Sequence, residues 1–209
     1  MEILIAVAIF IGAFLLGGIS PSVLISRKIG GFDVRSVGSG NAGTTNILRS
    51  MGWRFGVANL LLDMLKGFLP VLVIKLIWGM DTPLGLYATL AAGLGSVLGH
   101  CFSPYMGFKG GKGVATSLGV FLAITPISTA LALAVAVLVI VFTRYVSAGS
   151  LVGALAVIAF ETILGRPVRI EILVLLVAVF LVLSFMHRGN IKRLFQGEEN
   201  RLVFKNIKK

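Results

Sequence analysis

The sequence predicts an all-α fold, a polytopic membrane helix bundle of about seven transmembrane helices. Three observations predict it. The chain of 209 residues has a mean hydropathy of +1.00 and is 57% hydrophobic. Its apolar residues collect in long runs: Ile3–Ile19, Phe55–Trp78, Leu84–Phe102, Val114–Phe142 and Leu151–Phe185. Only 13% of its residues are charged, yet they sum to +11, where an average soluble domain is about 25% charged. Those cations must sit outside the hydrocarbon. A disordered basic tail is excluded because it would be poor in Leu, Ile and Val. A soluble nucleic-acid binder does not carry apolar runs near bilayer length, so no nucleic-acid partner is expected. A secreted disulfide scaffold needs paired cysteines, and Cys101 is alone.

The elements follow in order. The first helix is expected at 2–20. No small-residue cleavage signature follows it, and Glu2 stands where a signal peptide carries Lys or Arg, which predicts a retained helix. The second and third are expected at 56–78 and 84–102. The last two runs exceed the roughly 20 residues of a single span. Thr125-Pro126 splits one into 114–125 and 127–143, because proline removes a helix hydrogen bond and disfavours helix just before it. Gly165-Arg166-Pro167 splits the other into 150–164 and 170–186. The fourth and sixth helices are short, which implies local thinning, tilt or burial within protein.

Charge assigns the sides. With the N-terminus outside and the C-terminus cytoplasmic, Arg27, Lys28, Arg35, Arg49 and Arg54 fall in the first cytoplasmic loop. Lys109 and Lys112 fall in the next, and Arg144 in the third. Arg188, Lys192, Arg193, Arg201, Lys205, Lys208 and Lys209 fall in the tail. That places 15 of the 19 basic residues inside and leaves Arg166 and Arg169 outside, a strong positive-inside pattern. Lys66 and Lys75 lie within the second span, where Asp63 and Lys66 are expected to form a structural ion pair. Glu161 has two possible settings, the outer surface or the neighbourhood of Lys75.

Three cytoplasmic segments, 37–49, 99–116 and 184–199, have the composition of anion sites. The first, Val37-Gly-Ser-Gly-Asn-Ala-Gly-Thr-Thr-Asn-Ile-Leu-Arg49, combines glycines for a backbone nest with the donors Ser39, Asn41, Thr44, Thr45 and Asn46 and the fork of Arg49. A short helix starting at Thr44 would add a positive N-terminus. Gly38, Gly40 and Gly43 match the dinucleotide fingerprint, but no βαβ unit can surround them between two membrane helices. The second segment holds Lys109-Gly-Gly-Lys112-Gly before the fourth helix. It fails as a Walker A loop because Met106 and Gly113 stand where Gly and Ser/Thr are required, so nucleotide hydrolysis is not expected. The third places His187 and Asn190 three apart at a helix end, in company with Ser147 and Ser150 of the 144–150 connection. Two His and one Cys without ligand spacing suggest no metal, and no cofactor is expected. A transporter would hold its ligand near the midplane. A one-sided anionic pocket suits an enzyme that joins a phosphorylated soluble substrate to a lipid.

The stretches Gly38–Arg49, His100–Thr116 and His187–Glu199 resemble the three cytoplasmic motifs of the bacterial acyl-phosphate-dependent glycerol-3-phosphate acyltransferase family (PlsY). Phe108-Lys-Gly-Gly-Lys-Gly-Val-Ala-Thr116 is the most specific of them, and Ser103 before Pro104 is the visible departure. The resemblance covers nearly the whole chain and implies a single integral-membrane acyltransferase domain over 1–209, monomeric, in the bacterial inner membrane with its active site on the cytoplasmic face. It implies transfer of an acyl group from a long-chain acyl phosphate to the 1-hydroxyl of glycerol 3-phosphate, the first acylation of phospholipid synthesis. Lysophosphatidic acid and inorganic phosphate would be the products. By the same resemblance Ser39, Gly40, Asn41, Thr44 and Thr45 would cradle the acyl phosphate, with Asn46 in the same segment. Arg49, Lys112, Ser150, His187 and Asn190 would hold glycerol 3-phosphate or the departing phosphate. Gly110, Gly111 and Gly113 would permit close backbone approach, and Glu199 would be structural. The His-x4-Asp pair of other acyltransferases is absent, since Tyr105 and Lys192 stand five after the two histidines. The base is therefore either His187 or the substrate's own phosphate. A transporter of a phosphorylated metabolite is the rival reading.

Overall fold

The computed structural model describes residues 1–165 and 167–202. Arg166, expected outside, and Lys205, Lys208 and Lys209 of the tail lie outside the described residues. The described residues are mostly helical, with loops between the helices. The chain divides into two compact units, 1–126 and 127–209.

The first unit opens with α1 (Glu2–Gly18) and the short α2 (Pro21–Ile25), which runs into one π-helical turn at Ser26–Gly30. Then come α3 (Thr44–Met51), α4 (Trp53–Trp78), α5 (Pro83–Cys101) and α6 (Val114–Ile124). The second unit holds α7 (Pro126–Thr143), whose first residue closes the first unit, α8 (Val146–Leu164), α9 (Ile170–Met186) and α10 (Arg188–Gln196). All seven expected helices are present. The break at Thr125-Pro126 is as expected, with Pro126 opening α7.

One boundary differs by four residues. α8 starts at Val146 and not at residue 150. The reversal before it is compressed into Arg144, which takes a left-handed φ of 63°, and Tyr145, whose N–H donates to Thr143 Oγ1 at 3.1 Å. Ser150 therefore sits inside the first turns of a helix and not in a connection. The amphipathic α3 and α10 add to the apolar seven. At 8 and 9 residues they leave no long hydrophobic run to announce them.

Packing in the first unit follows membrane rules. Apolar side chains gain little by leaving lipid, so helices associate where small residues let backbones meet. A Cβ at Gly95 or Gly99 of α5 would strike backbone of α1, and one at Gly17 of α1 would strike Ser96. Gly67 of α4 and Gly119 of α6 are closed by Thr116 and Met64 backbone in the same way. The burial pattern is inverted relative to a soluble domain. Leu60, Leu61, Leu62, Leu65, Leu69 and Val73 are exposed along α4, while Asn59, Asp63 and Lys66 of the same helix are buried. Among the described residues, four helical stretches are long and apolar enough to cross a membrane: Glu2–Gly30, Pro83–Met106, Pro126–Thr143 and Val146–Leu164. α9 and α10 pass the same test together, bent by 62°.

Candidate functional site

In the first unit, two loops cap a buried polar network. The first loop is organised by Asn46, which is 2% exposed. Its Nδ2 donates to the carbonyls of Val34, Val37 and Asn41 at 2.7, 3.0 and 3.2 Å, while its Oδ1 accepts from the Ser39 N–H at 3.1 Å. With its amide committed to backbone, Asn46 builds the loop, in contrast to the expectation that it would offer a donor to ligand. Gly38, at φ 59°, closes over it, and a Cβ there would meet Asn46 Oδ1. Upstream, Asp33 holds Arg35 at 2.7 Å and Arg27 at 2.8 Å. The Arg35 hydrogen bond keeps the Asp33 carboxyl far below the usual carboxylate range. α3 then starts at Thr44, with extended Gly43 as its N-cap. Ser39 and Gly40 are exposed, and Asn41, Thr44 and Thr45 are half-buried around this helix start. Arg49 is exposed in the last turn of α3, away from the N-terminus.

The second loop returns along the end of α5. Gly110 N–H donates to Cys101 O and Gly111 N–H to His100 O, both at 3.0 Å. A Cβ at Gly110 would strike the carbonyls of His100 and Cys101, and one at Gly111 would strike the His100 ring and Ala42 O. Backbone approaches closely at these two glycines between the loops and α5, and their N–H groups are committed there. Gly113, at φ 83°, is the N-cap of α6, with half-buried Lys112 just before it. The first N–H groups of α6 therefore face the loop that carries the lysine. Ser103, just before Pro104, is fully buried and donates from Oγ to Gly18 O at 2.6 Å, tying the loop to the end of α1.

Beneath both loops lies the network that sequence reasoning saw only in part. The Asp63–Lys66 ion pair is present at 2.9 Å. Lys66 Nζ also donates to Ile19 O at 2.8 Å, and His100 Nδ1 lies 3.3 Å from the same Asp63 oxygen. Asn59 bridges Asp63 Oδ2 to Thr44 Oγ1, at 2.9 Å each. Asn59 was missed, although 59, 63 and 66 lie on one face of an otherwise apolar helix. Lys75 donates to Ala123 O at 2.9 Å.

In the second unit, Glu161 accepts from Ser128 Oγ at 2.6 Å, so its carboxylate is held by α7. His187 is 3% exposed, and its Nδ1 lies 2.8 Å from Leu183 O. A carbonyl only accepts, so Nδ1 carries the proton and Nε2 presents the lone pair in the neutral ring. Ser150 Oγ donates back to Val146 O at 2.8 Å within α8. Glu199, whose side chain is 6% exposed, gathers its neighbours: Asn190 Nδ2 at 2.6 Å, Ser147 Oγ at 2.9 Å and Arg193 Nε at 2.9 Å. The structural pairing expected of Glu199 is thus formed, and the tail continues it with Leu202 N–H donating to Arg144 O at 2.7 Å.

Burial pushes the Glu199 carboxyl up, but the hydrogen bonds from Asn190, Ser147 and Arg193 outweigh it and hold the group below its ordinary 4.5. A depressed carboxyl adds stability above its unfolded pKa and loses it as pH falls through the folded value. Glu199→Gln is expected to lower the thermal midpoint at pH 7. The gap to the parent protein should narrow as pH drops below about 4. A gap that is constant with pH would refute this.

The glycerol-3-phosphate acyltransferase family profile matches residues 7–197. The chain belongs to the glycerol-3-phosphate acyltransferase family. It is 42% identical over 207 residues to a glycerol-3-phosphate acyltransferase of Clostridioides difficile strain 630, covering 97% of this chain and 98% of the relative. It is 42% identical over 189 residues to one of Geobacter sulfurreducens, covering 90% and 93%. A crystal structure of PlsY (YgiH), an integral membrane glycerol 3-phosphate acyltransferase in its glycerol 3-phosphate form, superposes with a TM-score of 0.88 at 37% identity, covering 95% of this chain and 96% of that one. Its lysophosphatidic acid form gives 0.86 at 36% identity, covering 95% of each chain. With those matches and its apolar helices, this family member is a multi-pass membrane protein.

Proposed function

We propose that the chain moves the acyl group of a fatty acyl phosphate to the 1-hydroxyl of glycerol 3-phosphate. The observation that carries this is family membership over nearly the full length, together with two glycine-rich loops that end at helix N-termini in the first unit. The hydroxyl oxygen attacks the acyl carbon and the bond from that carbon to the phosphate oxygen breaks. Lysophosphatidic acid forms, and phosphate leaves with the hydroxyl proton. Two phosphorylated substrates repel, and donors fixed in a water-poor site offset that repulsion. Ser39, Gly40, Asn41, Thr44 and Thr45 would receive the acyl phosphate. Arg49, Lys112, Ser150, His187 and Asn190 would serve glycerol 3-phosphate or the departing phosphate. Ser150 would do so by a hydroxyl that already donates within its helix, and Asn190 beside its bond to Glu199. Gly113 would present the start of α6, and Gly110 and Gly111 would fix the loop that carries Lys112. The positive-inside pattern supports an N-terminus outside and a cytoplasmic face for the loops that carry the site. The apolar runs support seven spans, and the family resemblance supports a place in the bacterial inner membrane.

The proton acceptor we favour is the phosphate of the acyl phosphate itself, since phosphate monoesters have a second pKa near 6. His187 then positions glycerol 3-phosphate. His187→Gln is expected to keep kcat within about tenfold and to raise KM for glycerol 3-phosphate. Loss of kcat at every pH would instead make His187 the base.

The function is tested with purified protein in detergent. Phosphate should be released from palmitoyl phosphate only when glycerol 3-phosphate is present. No release, together with uptake of glycerol 3-phosphate into proteoliposomes, would establish the transporter.

A further inference from the structure

Asn59 takes no part in the chemistry above. It is fully buried in α4, and its side-chain amide commits one hydrogen to Asp63 Oδ2 and the other to Thr44 Oγ1, each at 2.9 Å. The orientation of that amide is forced. Asp63 is a carboxylate already paired with Lys66 at 2.9 Å and faced by His100 at 3.3 Å. Turning the amide would set its oxygen against that carboxylate. With Nδ2 as donor, Thr44 Oγ1 is an acceptor on its buried side, and its one hydroxyl hydrogen is left to donate elsewhere. Thr44 is also the first residue of α3, half-buried, where N–H groups of the first turn point out of the helix.

We propose that Asn59 is a positioning residue for the acyl-phosphate site: anchored on Asp63, it turns the Thr44 hydroxyl into a donor aimed at the phosphoryl group received at the start of α3. The inference rests on the reading of Thr44 as an acyl-phosphate ligand. Nothing in Asn59 touches substrate, so its effect travels through one hydroxyl.

The test is steady-state kinetics on the full chain in detergent with palmitoyl phosphate and glycerol 3-phosphate. The variants are Thr44→Val, Thr44→Ser, Asn59→Leu and the pair Thr44→Val with Asn59→Leu. Thr44→Val should raise KM for palmitoyl phosphate about tenfold, the size expected for a hydrogen bond to a charged group, and Thr44→Ser, which keeps the hydroxyl, should recover most of that loss. Asn59→Leu should raise the same KM severalfold and leave KM for glycerol 3-phosphate within about twofold. The double variant should be no worse than Thr44→Val, because both act through one bond. Should Asn59→Leu fail to accumulate, Asn59→Ser can still donate to Asp63 but cannot bridge to Thr44, and the same KM signature is expected. An Asn59 variant that lowers only folded yield or kcat, or whose effect multiplies with that of Thr44→Val, overturns the proposal. Thr44→Val with an unchanged KM for palmitoyl phosphate overturns the ligand reading beneath it, and the proposal with it.

Discussion

Gly111→Ala is expected to lower kcat/KM by at least about a hundredfold. The added Cβ has nowhere to go. On one side it meets the imidazole of His100, which is held against Asp63; on the other it meets the carbonyl oxygen of Ala42. Overpacking of this kind is relieved by moving backbone, at about 1–3 kcal/mol. The backbone that moves carries Lys112 on one loop and the approach to Thr44 on the other. Displacement of reacting groups by about 1 Å is enough for a hundredfold loss. Gly107 provides the control in the same loop. Its φ is 61° and a Cβ there meets nothing within 4 Å, so Gly107→Ala bears only the left-handed penalty of about 1–2 kcal/mol and should keep most activity. Parallel kcat/KM and thermal-midpoint measurements on the two variants check this. Equal activity of the two would show that the loop contact with His100 has no bearing on the reaction.

Asp63→Ala is expected to produce the largest loss of stability, about 3–5 kcal/mol. The substitution leaves the Lys66 ammonium, with a side chain only 8% exposed, without its carboxylate. It also strips the anchor from His100 and Asn59. Replacing both partners, as in Asp63→Asn with Lys66→Met, should recover much of the loss, because a buried pair adds little net stability over apolar packing. Thermal midpoints of the single and double variants in one detergent decide the matter. A double variant worse than Asp63→Ala would mean that the charges themselves, and not their balance, hold the core.

The fold was legible in the sequence because a bilayer-crossing helix needs a long apolar run, and proline breaks such runs at visible places. Pro126 is the clear case. Where the prediction slipped, the cause was local. Ser147 and Gly149 look like loop residues, yet the reversal needs only Arg144 and Tyr145, so α8 begins early. α3 and α10 lie outside the apolar pattern, although α3 does start at Thr44, where the sequence offers a helix N-terminus.

The site was legible as composition and less so as roles. Glycine, hydroxyl and amide residues at 37–49 do form a loop feeding a helix N-terminus, but one of them, Asn46, turned inward to saturate backbone carbonyls. Spacing cannot say which of several similar donors will be used by the fold. Asn59 and His100 show the converse. Each is one polar residue among apolar or small neighbours. Asn59 shares a face of α4 with Asp63, but His100 of α5 and Thr44 of α3 join them from other helices, which no single-helix periodicity reveals.

In the proposed reaction everything turns on an acyl phosphate as the acyl donor. The direct measurement presents the purified protein with glycerol 3-phosphate and, in separate reactions, palmitoyl phosphate or a palmitoyl thioester. Palmitoyl phosphate should give lysophosphatidic acid and inorganic phosphate in equal amounts, and the thioester should give no product. Lysophosphatidic acid formed from the thioester but not from palmitoyl phosphate would contradict it.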